Sequence, residues 1–138
     1  IYIDNIILYQ YEVSDVELNE LQHKCMVHIC PSYCEGFGHY INEGRAANSL
    51  VVTTNAPPMN ELITKDTGIL IDYHKSVPVK LFGTGYNIDI KQIEEGMNRL
   101  LHMSSSEILE MQSNCKKKYE SEYEAFEKKI SIIFNGYG

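Results

Sequence analysis

The chain has 138 residues, 43% of them hydrophobic and 22% charged, which suits one compact domain with a single core and leaves no room for two full ones. Its net charge of -7 provides no broad electropositive surface, so no nucleic acid or anionic membrane is expected as a general partner. No apolar run approaches the ~18 residues that span a bilayer, and no signal peptide opens the chain, so no transmembrane segment is predicted.

The first residue is Ile1, already in a strand-like stretch, which suggests a fragment and leaves upstream targeting signals open. Asn5 to Tyr9 reads as a short apolar strand without alternation, hence buried on both faces as in a parallel sheet. Ser14 with Glu17 three residues later predicts a capped helix from about Asp15 to Lys24, with Leu18, Leu21 and Cys25 along one face. Met26 to Cys30 is a second apolar run, stopped by Pro31 and Ser32. A glycine-containing turn, a helix from about His39 to Ala47 and a strand from Leu50 to Thr54 follow. Pro57 and Pro58 open a short helix from Met59 to Ile63, and Gly68 to Ile71 supplies one more strand. This alternation predicts an α/β fold, a Rossmann-like doubly wound parallel sheet.

From Asp72 to Asn87 the chain carries Pro78, Gly83 and Gly85 without periodicity and reads as a long surface loop. Asp89 with Gln92, and Ser104 with Glu107, then start C-terminal helices. Tyr119, Tyr123, Phe126, Ile130 and Ile133 share one helical face, expected to pack on the core or else on a missing domain. Lys116, Lys117, Lys118, Lys128 and Lys129 on the same helices read as a solvated face.

Four cysteines at positions 25, 30, 34 and 115 do not make the dense framework of a small secreted domain. An acidic α/β chain fits a reducing, cytoplasmic setting with free thiols. His28, Cys30, Cys34 and His39 cluster within twelve residues, but two of them lie in an apolar strand and the spacing is no standard zinc signature, so no metal site is predicted.

The chemistry concentrates between Pro31 and Glu43, P-S-Y-C-E-G-F-G-H-Y-I-N-E. This segment lies beyond the carboxyl end of a strand and at a helix start, where α/β sheets bind ligands. Gly36 and Gly38 permit a tight turn and close approach, and the amides near Gly38, His39 and Tyr40, with the helix dipole, suit an anionic phosphate. Alone, Gly-Phe-Gly describes many ordinary turns. Here Glu35 and Glu43 flank it with seven residues between them, at a separation of ~10 Å if the segment is partly helical, and carboxylates accept hydrogen bonds well from the vicinal hydroxyls of a sugar. Phe37 either packs under the loop or faces a ligand.

The stretch from Pro31 to Glu61, with its Glu, seven residues, Glu pattern, resembles the donor-site signature of family 4 glycosyltransferases of the GT-B type. The likeness extends through Gly68 to Ile71 and into the helical tail. It implies that residues 1–138 are a nucleotide-sugar-binding domain, the C-terminal half of a retaining transferase that moves a hexose from a nucleoside-diphosphate sugar to an acceptor hydroxyl. It further implies that Glu35 is the catalytic residue contacting the donor sugar, that Gly36, Phe37 and Gly38 cradle the diphosphate beside His39 and Tyr40, that Glu43 holds the ribose, and that Glu61 lines the same cleft.

Two features depart from the family pattern: Asn48 stands at a glycine position, where it can keep a left-handed helix end, and Leu50 stands where the family has proline. The family's phosphate-neutralising Arg and Lys, and its acceptor-binding N-terminal domain, precede the part present here, and Arg45 should face elsewhere on the helix. No Asp-x-Asp motif occurs in the sequence, so amides and the helix dipole are expected to stabilise the leaving diphosphate, with no metal or cofactor. Another GT-B enzyme, such as a nucleotide-sugar epimerase or a phosphorylase, and a noncatalytic donor-domain-like interaction module are the alternatives.

Overall fold

A computed structural model describes residues 2–3, 5–80 and 83–136. The strand-like character expected at Ile1 lies outside them. β1 (Tyr2–Ile3) and β2 (Ile6–Ile7) pair with each other antiparallel. α1 (Asp15–Lys24), β3 (Val27–Cys30), α2 (His39–Ala46), β4 (Leu50–Thr54), α3 (Met59–Leu62) and β5 (Gly68–Ile71) then alternate. β6 (Lys75–Pro78), β7 (Thr84–Asn87), α4 (Ile90–Leu101) and α5 (Ser105–Asn135) complete the order.

The centre is a three-stranded parallel sheet in the order β3-β4-β5, with Val51 paired to His28 on one side and to Gly68 on the other. All five β4 residues are buried, because each face of the strand meets its own layer of helices. Val51 joins Ile41 of α2, Met59 of α3 and Cys115 of α5 in one cluster. Leu50 and Val52, of opposite parity and so on the other face, pack with Ile69, Ile71, Met97 of α4 and Ile108 and Met111 of α5. A strand covered on both sides has no use for polar alternation, which is why L-V-V reads as a continuous apolar run. This α/β arrangement with C-terminal helices bears out the predicted fold class.

Three local expectations are corrected. The apolar run at Asn5 to Tyr9 is no strand of the parallel sheet: only Ile6 and Ile7 are extended, they pair with β1, and both are more than half exposed. The stretch from Asp72 to Asn87 is not all loop, since β6 and β7 form an antiparallel hairpin in which Lys75 pairs with Asn87 and Pro78 with Thr84. Positions 81–82 of the expected loop lie outside the described residues. The aromatic stripe of α5 does not pack on the core, because Tyr123, Phe126 and Ile133 are exposed.

The helix termini follow their caps. Ser14 accepts from the Glu17 amide to start α1, and Asp89 with Gln92 and Ser104 with Glu107 form complete capping boxes on α4 and α5. Hydrogen bonds from Ser104 hold the Glu107 carboxyl below its ordinary pKa. Asn48 ends α2 with φ of 60°, the left-handed cap that asparagine tolerates best among non-glycine residues. The lysines of α5 are not simply solvated. Lys116 donates to the Ala46 carbonyl at 2.7 Å, and Lys118 to those of Glu61 and Leu62 at 2.8 and 3.2 Å. These are carbonyls at the C-terminal ends of α2 and α3, where a cation is favoured.

α5, ~46 Å long at 1.5 Å per residue, is thereby bolted across α2 and α3. A further fastening is Arg45, only 1% exposed, which donates to Asn42 Oδ1 at 2.7 Å, pairs with Glu122 and stacks at 5.4 Å over the Tyr119 ring. Its guanidinium is occupied by these partners and, against the expectation that it faces elsewhere on the helix, Arg45 lies in the lining of a groove that Gly36 and Phe37 also line. All four cysteines are free, Cys30 and Cys115 buried and Cys25 and Cys34 exposed. Burial pushes the Cys115 thiol up against the opposing pull of Arg45. No helix among the described residues is long and apolar enough to cross a membrane.

Candidate functional site

Pro31 to Gly38 leaves the carboxyl end of β3 and delivers the chain to α2. Ser32 anchors the turn: its amide bonds the Cys30 carbonyl at 2.8 Å, and its carbonyl accepts from the buried Thr54 hydroxyl at 2.6 Å. Gly38 is the N-cap of α2, with φ of 73°, a left-handed conformation open to glycine at little cost. A Cβ there would also stand 2.8 Å from Leu62 Cδ1. No side chain among the described residues caps this helix, so its first-turn amides keep their hydrogen-bonding capacity and the positive end of the dipole. Gly36 is different. Its φ is not left-handed and an added Cβ would meet nothing within 4 Å, so neither the backbone nor the packing among the described residues requires glycine there.

The hairpin braces the outside of this loop. The Tyr86 amide donates to the Tyr33 carbonyl at 2.7 Å, and the Tyr33 phenol lies across Gly85 so closely that a Cβ would stand 2.1 Å from its Cζ. A glycine in a strand interior often marks such a close approach. Tyr73 packs on Tyr86 behind it, with ring centroids 4.9 Å apart.

The two carboxylates are held differently. Glu35, half-buried, accepts from the Ser32 hydroxyl at 3.2 Å. Tyr40 has its phenol pushed above the ordinary value, first by burial and then by its hydrogen bond to Glu35 and that carboxylate's charge. Glu43, exposed on α2, accepts from Gln22 Nε2 of α1 at 2.6 Å. The negative charges of Glu35 and Glu43 both act on the buried Cys30 thiol, which burial in the first place raises from 9.0 to about 11.

Beside the loop, a groove of about 620 Å³ opens between α2, α3 and α5. Of the residues singled out from sequence, Gly36, Phe37, His39, Glu43 and Glu61 line it; Glu35, Gly38 and Tyr40 do not. Phe37 is 66% exposed and tilts against His39 with centroids 4.9 Å apart, so it does not pack under the loop. Tyr119, Tyr123 and Phe126 supply the far wall. The sequence signalled their common face but not that α5 would lay it over α2. Nothing in the sequence marked Gln22 as the partner of Glu43, or Gly85 as the seat of Tyr33.

An uncapped helix start with a left-handed glycine hinge, flanked by two carboxylates beside an aromatic-lined groove, offers donors to an anion and acceptors to hydroxyls. Those are the two needs of a phosphorylated sugar. No curated protein matches the chain. Residues 2–122 match the family described as Glycosyl transferases group 1, most of the 138 residues, and the match takes in β3, the glycine loop, α2 and Glu61. The chain therefore belongs to the group 1 glycosyltransferases.

Proposed function

We propose that the chain is the donor-binding half of a retaining GT-B glycosyltransferase of the family 4 kind, taking a hexose from a nucleoside-diphosphate sugar to an acceptor hydroxyl held by a second domain. One observation carries this reading: the left-handed Gly38 opens an uncapped α2 between Glu35 and Glu43, at the carboxyl end of a parallel strand. The diphosphate lies against the first-turn amides of α2, near Gly36, Gly38, His39 and Tyr40. Glu43 accepts the ribose hydroxyls, with Phe37 and Glu61 at the groove wall, and Glu35 positions the transferred sugar. In the reaction the bond from the anomeric carbon to the diphosphate oxygen breaks, and a bond to the acceptor oxygen forms on the same face. The acceptor's proton is released, and the amides and helix dipole stabilise the charge on the departing diphosphate.

Glu43→Gln and Glu35→Ala in the complete enzyme test these roles. Losing the charge assistance at Glu43 should weaken donor binding by roughly 1 to 3 kcal/mol. Glu35→Ala should lower turnover more than nucleotide affinity, because it touches the group being transferred. Unchanged kinetics in both variants would remove these residues from the site. The chain by itself should bind the nucleotide weakly and transfer nothing, since a single domain provides neither a positioned acceptor nor a water-excluding cleft.

A further inference from the structure

We propose that Gln22 is a positioning residue for nucleotide binding: its side-chain amide presets the Glu43 carboxylate to receive the ribose hydroxyls. This rests on the donor-site reading of Glu43 given above.

The geometry that carries it is a side chain pinned at both ends. Gln22 sits in the last turn of α1, a helix with no fully buried residue, so hydrophobic packing alone does not fix its place against α2. Polar contacts do. The Gln22 carbonyl accepts from His28 Nε2 of β3 at 2.9 Å, and the Ser49 hydroxyl lies 3.4 Å from it while bonding the neighbouring Cys25 carbonyl at 2.8 Å. A carbonyl can only accept, so Nε2 carries the proton here. With its backbone held between β3 and the start of β4, Gln22 extends Nε2 to Glu43 Oε2 at 2.6 Å.

The choice of partner matters chemically. Glu43 is exposed, and a free glutamate at a helix surface samples several rotamers that a ligand would have to freeze. An amide donor orders the carboxylate without neutralising it. One bond to Oε2 leaves that oxygen a further lone pair and Oε1 both of its own. Among the described residues no cation pairs with Glu43, so its charge remains available to strengthen the bonds from two vicinal hydroxyls. A lysine in place of Gln22 would order the group equally and blunt that charge.

A contact that merely staples α1 to α2 would affect folding and leave ribose recognition alone, so the test reads ribose recognition directly. Uridine and guanosine diphosphates and their 2′,3′-dideoxy counterparts are titrated into the full chain and into Gln22→Met and Gln22→Asn. The first variant keeps the length and apolar stem without the donor; the second keeps an amide too short to reach. Urea midpoints verify that each variant is folded.

The wild type should prefer the ribose form, and each variant should lose about three- to tenfold of that preference by weakening the ribose form alone, the scale set by ordering one flexible side chain. A preference unchanged in the variants, or equal weakening of ribose and dideoxy forms, would overturn the role of Gln22 while leaving that of Glu43 standing. A wild type that does not distinguish the two forms would instead overturn the reading of Glu43, and the proposal with it.

Discussion

Arg45 and Glu122 form an ion pair whose two ends sit in different media, and truncating them should have unequal costs. The Arg45 side chain is 2% exposed and that of Glu122 is 48% exposed. Buried Arg45 Nε has no hydrogen-bond partner among the described residues, so the guanidinium already relies on Asn42, Glu122 and Tyr119 for compensation. Glu122→Ala leaves a desolvated cation without its counter-charge. Breaking a fully buried pair this way costs about 3 to 5 kcal/mol, and since water reaches the glutamate side of this one we expect about 2 to 4 kcal/mol.

Arg45→Met removes the buried charge and places an apolar side chain of similar reach against Tyr119. Glu122 then returns to water and keeps Lys118 at 3.8 Å. The losses are the hydrogen bonds to Asn42 and Glu122 and one cation–π contact, about 0.5 to 1.5 kcal/mol each, largely offset because no cation remains to be desolvated. Urea unfolding at constant slope measures both differences. Glu122→Ala should be the more destabilising by at least about 1 kcal/mol, and the double variant should lie close to Arg45→Met alone. If Arg45→Met costs as much as Glu122→Ala or more, the pair is stabilised chiefly by the arginine's packing, and the argument from unequal desolvation fails.

Gly85→Ala should drive a methyl into the Tyr33 ring and cost about 1 to 2 kcal/mol, the lower part of the overpacking range because Tyr33 is 45% exposed and can swing. Adding Tyr33→Ala should recover part of that loss, and a thermal melt of the two variants showing no recovery would mean that the hairpin does not rest on Tyr33. Cys30 should resist iodoacetamide at pH 8 while the exposed Cys25 and Cys34 react, as mass spectrometry of the alkylated chain would show. Because folding raises the Cys30 thiol from 9.0 to about 11, the unfolded chain loses that proton first. Its contribution to stability is intact below pH ~9 and lost as pH rises through ~11, and the decline in that window should shrink in Cys30→Ala.

The parts of the fold legible in the sequence are those fixed by local chemistry. Ser14, Asp89 and Ser104 set helix starts because a cap acts within one turn, and the apolar, β-branched run L-V-V-T-T reads as a strand. The glycine loop was legible because left-handed backbone and close approach select glycine. The hairpin was not: Pro78 and Gly85 contradict strand propensity, and Gly85 makes sense only once the Tyr33 ring lies across it. Asn5 to Tyr9 has the apolar character of a core strand without a neighbour to bury it. In the site, Glu35, Glu43 and Glu61 stood out by spacing and resemblance. Gln22 lies 21 residues before Glu43 and the α5 aromatics some 80 residues after it, and only packing brings them to the groove.

We propose that the start of α2, between Glu35 and Glu43, binds a nucleoside diphosphate. The most direct measurement is a backbone amide NMR titration of the chain with uridine and guanosine diphosphates. We predict saturable shifts at Gly36, Gly38 and Glu43, with a dissociation constant near ~1 mM, about -4 kcal/mol. Shifts confined to the opposite surface around Lys65, Arg99 and His102, or none at several-fold that concentration, would contradict the account.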